Sequence, residues 1–437
     1  MKVGFVSLGC SKNLVDTEMC IGLFKKHKYE IVSNPKEAQI IVINTCGFIQ
    51  SAKEEAINTI LEMAQYKKKG NCNYLVVMGC LVKRYKEDLE KSIPEVDLWI
   101  SLDEYDSLWT KVELLIKKKN PENDFLSYEQ RTITTGDAVA YLKIAEGCSN
   151  YCTYCAIPMI RGKFVSRPIE EVIEEAKSLA KKGIKELIVI AQDTTKYGVD
   201  LYGKSKLAEL LSKLEKIEGL KWIRFLYAYP EGITDELIET VGNSKKICHY
   251  FDIPIQHISD RVLKRMNRKT TGTKIRKLIK HIREKIPDVI LRTSLIVGFP
   301  GETKEEFEEL YNFVQDVSFD KLGVFAYSKE DGTPAAKLDG QIHYKTKVAR
   351  RDRIMALQQK VSSEKLKEKI GKTYIALIEN KTEDGKYYIA RTYMDVLDAD
   401  GICWIKNTKD LKMNQFVKCE ITDVLDYDLI GKIKAEN

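Results

Sequence analysis

Histidine is scarce in this 437-residue chain: there are five, and none lies between His27 and His249. That gap argues against a zinc site built locally from mixed cysteine and histidine ligands in the first half of the chain. No apolar run approaches the roughly 18–20 residues of a membrane span, so no membrane association is expected. No secretory leader is expected. MKVGFVSLGC carries one lysine and then a short β-type run, which reads as a first strand, and the expected location is the cytoplasm. Core-forming residues are not lacking. A composition 44% hydrophobic and 31% charged describes a globular protein, and the length predicts two to four domains. The net charge of +7 points to an anionic partner only if the excess is localised.

Against these absences stand eleven cysteines. In a reducing compartment an odd, high count favours metal or catalytic thiols over disulfides. Their placement depends on the order of elements. KVGFVSL (2–8), QIIVINT (39–45), YLVVMG (74–79) and VDLWI (96–100) read as buried parallel strands, with helical patterns at about 14–27, 50–67 and 83–91. An α/β fold with an open, doubly wound sheet is expected over residues 1–116, and 117–136 reads as a linker. A second α/β series has strand candidates at 139–145, 186–191, 223–228, 250–255, 289–297 and 321–327. Six βα units predict a partial (βα)6 barrel, over 134–364, with its working face at the strand C-terminal ends. After a charged helix at 345–369, closely spaced alternating strands predict a small antiparallel β-barrel over 367–437.

Two sets of three cysteines follow from this order. EGCSNYCTYC places Cys148, Cys152 and Cys155 just after the first strand of the barrel. A disulfide would strand one thiol. A 4Fe–4S cluster held by three thiolates leaves one iron open to a small molecule. FVSLGC, IIVINTC and LVVMGC each end a strand with a cysteine, at Cys10, Cys46 and Cys80. The C-termini of parallel strands share one edge, so these thiols should converge there, in a second three-cysteine cluster site. Small buried cysteines of a core are the alternative. Cys20, Cys72, Cys248, Cys403 and Cys419 show no such placement.

CxxxCxxC resembles the cluster motif of radical S-adenosylmethionine enzymes. SLGCSKNLVDTE (7–18), NTCGFI (44–49), LKIAEGCSNYCTYCAIPMIRGKFVSRP (142–168), AQDTTKYG (191–198), PIQHISDRVLKRMNR (254–268) and IVGFPGET (296–303) together resemble the methylthiotransferases, and the C-terminal strands resemble their TRAM domain. Several of these segments look like the branch that modifies an aspartate of the small-subunit ribosomal protein S-twelve. The other branch, tRNA adenosine 2-methylthiotransferases, is the alternative.

The resemblance implies two 4Fe–4S clusters, S-adenosylmethionine as cofactor, and an electron donor such as flavodoxin or ferredoxin. It also implies a 5′-deoxyadenosyl radical that takes hydrogen from the aspartate β-carbon before a methylthio group is transferred. Tyr154 matches the family's adenine-facing position. Gln192 and Asp193, Tyr229, Gln256 and Gly298 end barrel strands where cofactor-binding groups are expected, and Arg292 lies near the start of its own strand. Each could instead be structural, and Glu302 could cap the helix that follows it. From 371 to 437 there are ten Lys/Arg and twelve Asp/Glu, a balance better suited to a basic protein target than to RNA. The stretch 261–285 holds eleven Lys/Arg against one Glu, and is either a solvated helix face or a contact with ribosomal RNA. A two-cluster electron-transfer protein would need fully cysteine-ligated clusters, which three-cysteine sites do not offer.

Overall fold

The computed structural model describes residues 1–116, 122–408 and 410–434. Five strands build the first sheet: β1 (Lys2–Ser7), β2 (Glu30–Val32), β3 (Ile40–Thr45), β4 (Tyr74–Gly79) and β5 (Leu98–Ile100), in the order β2-β1-β3-β4-β5 and parallel throughout. Every position of β3 is buried, which is why IIVINT shows no polar alternation. Ile40 and Val42 pack on one face with Leu23, Phe24 and Trp109, while Ile41 and Ile43 pack on the other with Ile60, Leu81 and Val82. The sheet is therefore doubly wound, as expected. β2 was not legible, because EIV is too short to show a period.

The helix Ser11–Lys26 buries polar residues as well as apolar ones, including Asn13, Asp16, Thr17 and Glu18. It is wedged between the first sheet and the next unit, where Val15 and Met19 join an apolar cluster with Tyr141 and Ile190. The segment expected to be a linker is not a loose one. Residues 117–121 lie outside the described residues, but Arg131 is buried. It donates to Glu18 Oε2 and Glu175 Oε1, each at 2.7 Å, and Thr134 donates to Glu18 Oε1. Two buried carboxylates sharing one guanidinium hold this stretch along the helix.

The second unit contains β6 (Val139–Lys143), a short antiparallel pair β7 (Ala145–Glu146) and β8 (Val165–Ser166), then β9 (Glu186–Ile190), β10 (Trp222–Phe225), β11 (Tyr250–Asp252), β12 (Ile290–Val297) and β13 (Lys321–Ala326). Two parallel three-stranded sheets, β6-β9-β10 and β11-β12-β13, meet at an Ile223–Ile247 bridge. β6 and β13 are the outer strands, so this is the expected partial barrel of six, with helices on its outside.

The third unit is a closed barrel of β14 (Thr373–Lys381), β15 (Tyr387–Thr392), β16 (Cys403–Lys406), β17 (Phe416–Val424) and β18 (Leu429–Ile433). The expectation of an antiparallel barrel needs one correction: β16 and β18 pair in parallel. Five strands cannot alternate direction all the way round a ring, so at least one neighbouring pair must be parallel. This barrel docks on the inner face of the open one, joining Ala376, Leu377, Met394 and Val396 to Val139, Tyr141, Ile188, Trp222 and Tyr250. Among the described residues no helix is long and apolar enough to cross a membrane.

Candidate functional site

The strand-end cysteines are brought together by close backbone packing. A glycine adjoins each of them in sequence: Gly9, Gly47 and Gly79. A Cβ on Gly9 would stand 2.6 Å from Cys46 Cβ, and one on Gly47 would meet the backbone of Cys80 and Leu81 at 2.8–3.0 Å. No larger residue fits these places without moving a cysteine. Asn13 ties the three loops together. Its Nδ2 donates to Leu8 O at 3.1 Å and to Thr45 O at 2.9 Å, while its Oδ1 accepts from Cys80 Sγ at 3.4 Å. Cys10 is the N-cap of Ser11–Lys26 and Cys80 begins Cys80–Ser92, so two sulfurs sit at positive helix ends.

The second triad lies on the loop after β6, clamped from three sides. Cys148 N donates to Gly162 O at 3.1 Å, and Thr153 N donates to Met266 O at 3.1 Å. Ala335 N donates to Thr153 O at 2.8 Å, and Asn267 Nδ2 to Tyr151 O at 2.9 Å. Tyr151 has a φ of +50°, a conformation that a non-glycine residue keeps only where its surroundings enforce it.

All six thiols are free. Burial pushes Cys80 and Cys155 up to about 12 and raises Cys46 and Cys148, so each needs a cation to become a thiolate ligand. Among the described residues no three His, Cys, Asp or Glu side chains are placed to grip a single metal ion. A cube-shaped cluster takes its thiolates at separate corners, so two cradles of three free cysteines each suit iron–sulfur.

Between the triads lies a buried ionic link. Arg161, six residues after Cys155, reaches the first unit, donating to Asn13 Oδ1 and to Asp16 Oδ2 at 2.9 Å, and also to Glu146 Oε2 at 2.8 Å. Lys143 completes the group through Asp16 and Glu146. Arg161 and Cys80 thus share one acceptor, Asn13 Oδ1, and the guanidinium pulls against the burial that raises Cys80.

Comparison with known proteins follows this architecture. Residues 2–101 match an uncharacterized protein family (UPF0004), 142–314 the radical SAM superfamily, and 370–433 the TRAM domain. The ribosomal protein uS12 methylthiotransferase RimO of Alkaliphilus oremlandii is 61% identical over 437 residues, with 100% of both chains covered. The chain belongs to the RimO methylthiotransferase family. RimO of Acetivibrio thermocellus is 49% identical over 449 residues, covering 100% of this chain and 99% of its own. Among solved structures, the radical S-adenosylmethionine methyltransferase TsrM of Kitasatospora setae shares the fold, with a TM-score of 0.57, 12% identity and 76% of each chain covered.

In this RimO-family chain two of the strand-end candidates, Tyr229 and Asp193, touch the loop of the second triad, and the others have different surroundings. Tyr229 Oη lies 4.0 Å from Cys152 Sγ, and the Arg268 guanidinium stacks 4.1 Å from its ring. Asp193 holds Asn150 of the cysteine loop at 2.8 Å. Gln192 Nε2 donates to Glu146, while its buried Oε1 has no partner. Gln256 takes a φ of +70° and bridges to β12. Tyr154 packs beside Val262, Met266, Phe299 and Tyr327. Gly298, at φ +71°, abuts Lys347 so closely that a Cβ would stand 2.4 Å from its Cγ.

Arg292 pairs with Asp252 at 2.9 Å and with Asp400 of the closed barrel at 3.5 Å, drawn by two acids near the start of its strand and away from the cysteines. Glu302 does not cap the next helix, because Thr303 does so in a capping box with Glu306. Glu302 accepts instead from Gly298 N at 2.7 Å and from Arg350 at 2.6 Å, fixing the turn. Asn13, Asp16, Lys143 and Arg161 were missed. Their one sequence signal was polar residues set among otherwise buried positions.

Proposed function

We propose that this chain methylthiolates an aspartate of ribosomal protein uS12, using two 4Fe–4S clusters. The observation that carries this reading is the pair of three-cysteine cradles, on different units, joined by the buried Arg161–Asn13–Asp16 link. As a radical SAM enzyme the chain uses S-adenosylmethionine and an iron–sulfur cluster. Cys148, Cys152 and Cys155 would hold one cluster and Cys10, Cys46 and Cys80 a second; together these supply the electron for homolysis and the sulfur to be transferred.

The residues around them bind and orient. The unpaired Gln192 Oε1 is an acceptor for the cofactor's donors, and Tyr229 and Tyr154 give its adenine and sulfonium ends apolar walls. Asn13 and Arg161 hold the strand-end thiols in register with the barrel. Substrate choice rests on charge. The closed barrel bears a groove lined by Glu383, Asp384, Tyr387, Trp404 and Ile430, with Asp428 accepting from the Trp404 indole at 2.9 Å. An acidic, aromatic groove suits a basic protein segment. The exposed cations Lys264, Lys274 and Lys277 are open to meet ribosomal RNA, whereas Lys280 pairs with Glu284 and Arg268 and Arg283 are engaged inside the chain. A flavodoxin or ferredoxin would deliver the electron.

The test is anaerobic reconstitution with S-adenosylmethionine and a reductant, offering a uS12 loop peptide and unmodified tRNA in parallel. Mass spectrometry should find one methylthio group on the aspartyl peptide. Modification of tRNA alone would refute the substrate assignment. No 5′-deoxyadenosine in any tube would refute the radical chemistry.

A further inference from the structure

Lys12 stands two residues after Cys10, and only 7% of it is exposed. Its ammonium lies 3.3 Å from the centroid of the Tyr227 ring. Among the described residues no carboxylate or carbonyl accepts from it. Buried lysines ordinarily have an anionic partner, because a desolvated charge without one is costly. A π-face holds the cation in place without neutralising it.

The position is as informative as the missing partner. Tyr227 follows β10 at its C-terminal end, with a φ of +60°. Its backbone is fixed by Asp252, which accepts from Tyr227 N at 2.9 Å, and by Thr194 N, which donates to Tyr227 O at 3.1 Å. Two residues on is Tyr229, beside Cys152. The ammonium therefore lies where the helix that follows Cys10 meets the C-terminal end of β10, two residues before Tyr229.

Four acids of this region are already committed. Asp16 is paired with Lys143 and Arg161, and Glu146 with the same two cations. Asp193 accepts from Asn150 and Thr195. Asp252 is paired with Arg292. Lys12 thus stays a cation that an anion from outside the chain can meet.

We infer that Lys12 binds the side-chain carboxylate of the substrate aspartate. This rests on the proposed function and adds the residue that selects the substrate. In an aspartate the carboxylate is bonded directly to the β-carbon. An ion pair there fixes the reacting carbon between the two triads and rejects an asparagine, which cannot supply the charge.

The experiment uses reconstituted holoenzyme and two uS12 loop peptides, identical except for Asp or Asn at the target position. Their affinities are read by fluorescence anisotropy for wild type, Lys12→Met, Lys12→Gln and Lys12→Arg. Iron content serves as the check on folding, and two neutral variants guard against one that fails it. Wild type should bind the aspartyl peptide about 10- to 100-fold more tightly than the asparaginyl one. Lys12→Met and Lys12→Gln should bind both peptides as weakly as wild type binds the asparaginyl one, and Lys12→Arg should recover most of the preference. A neutral variant that keeps the full preference overturns the inference and leaves the function standing. So does one that weakens S-adenosylmethionine binding while the preference survives, which would assign the lysine to the cofactor. Wild type that binds and modifies neither peptide overturns both.

Discussion

At the scale of residues, the six cysteines proposed to hold clusters and the other five should separate cleanly. Cys403 and Cys419 face each other inside the closed barrel at 3.9 Å, remote from either triad. Replacing Cys155 or Cys80 by alanine should remove one cluster, about four irons per chain, whereas Cys403→Ser should remove none. Iron and sulfide analysis after reconstitution reads this directly.

His257 offers a second test. It is fully buried, its Nδ1 accepts from Ser259 N at 3.0 Å, and Glu302, Glu306 and Arg350 are the charged groups around it. Burial lowers its pKa to about 3, so the ring is neutral in the folded chain. Unfolding restores a value near 6.5, so below that pH the unfolded chain takes up a proton that the folded one does not. Stability from the neutral ring is complete above pH 6.5 and is lost as pH falls toward 3, by at most about 1.4 kcal/mol per unit. Urea midpoints measured from pH 7 to pH 5 should fall less steeply for His257→Asn than for wild type. Parallel slopes would mean that the ring is charged in the fold.

At the scale of elements, the segment after β13 straps the two cysteine sites together. Glu330 is 2% exposed and accepts from Lys53 at 3.0 Å and Arg84 at 3.1 Å. Arg84 also donates to Gly47 O at 2.7 Å, next to Cys46, and to Asp331 O. A few residues later Ala335 N holds the Thr153 carbonyl between Cys152 and Cys155. Glu330→Ala would leave two buried cations facing each other, at a cost of about 3–5 kcal/mol. A lowered urea midpoint with faster proteolysis at 328–338 is the expected result. An unchanged midpoint would show that the strap is incidental.

At the scale of the whole molecule, the closed barrel is part of the core. Arg391 donates to Glu186 Oε2 at 2.7 Å with both side chains no more than 2% exposed, and Arg224 shares the same carboxylate at 3.1 Å. Tyr250 donates to Asp400 at 2.6 Å, and Lys321 pairs with Asp395 at 2.8 Å. Truncation after residue 369 would bare Tyr141, Trp222 and Tyr250 and strand a buried Arg224–Glu186 pair. The truncated chain should aggregate or melt well below the full one in differential scanning fluorimetry. A soluble fragment with the full chain's melting point would show that the barrel is a detachable module.

The sequence by itself determined the elements and the chemistry. Continuous β-branched runs must be buried on both faces, and a cysteine at the end of such a run must lie at the strand C-terminal edge, so the meeting of Cys10, Cys46 and Cys80 at one edge was legible before any tertiary contact was known. CxxxCxxC carries its own spacing. Tertiary structure alone decided how the units face one another. The polar residues of Ser11–Lys26 are buried only because the open barrel covers them. Arg292 read as a cofactor ligand until a loop of the closed barrel brings Asp400 to it. For Lys12, Asn13 and Arg161 no local pattern names the partner, because the partners lie on distant segments, as far as 215 residues along the chain between Lys12 and Tyr227. Periodicity reports which residues leave water. Which charge meets which across an interface depends on long-range packing that no local pattern encodes.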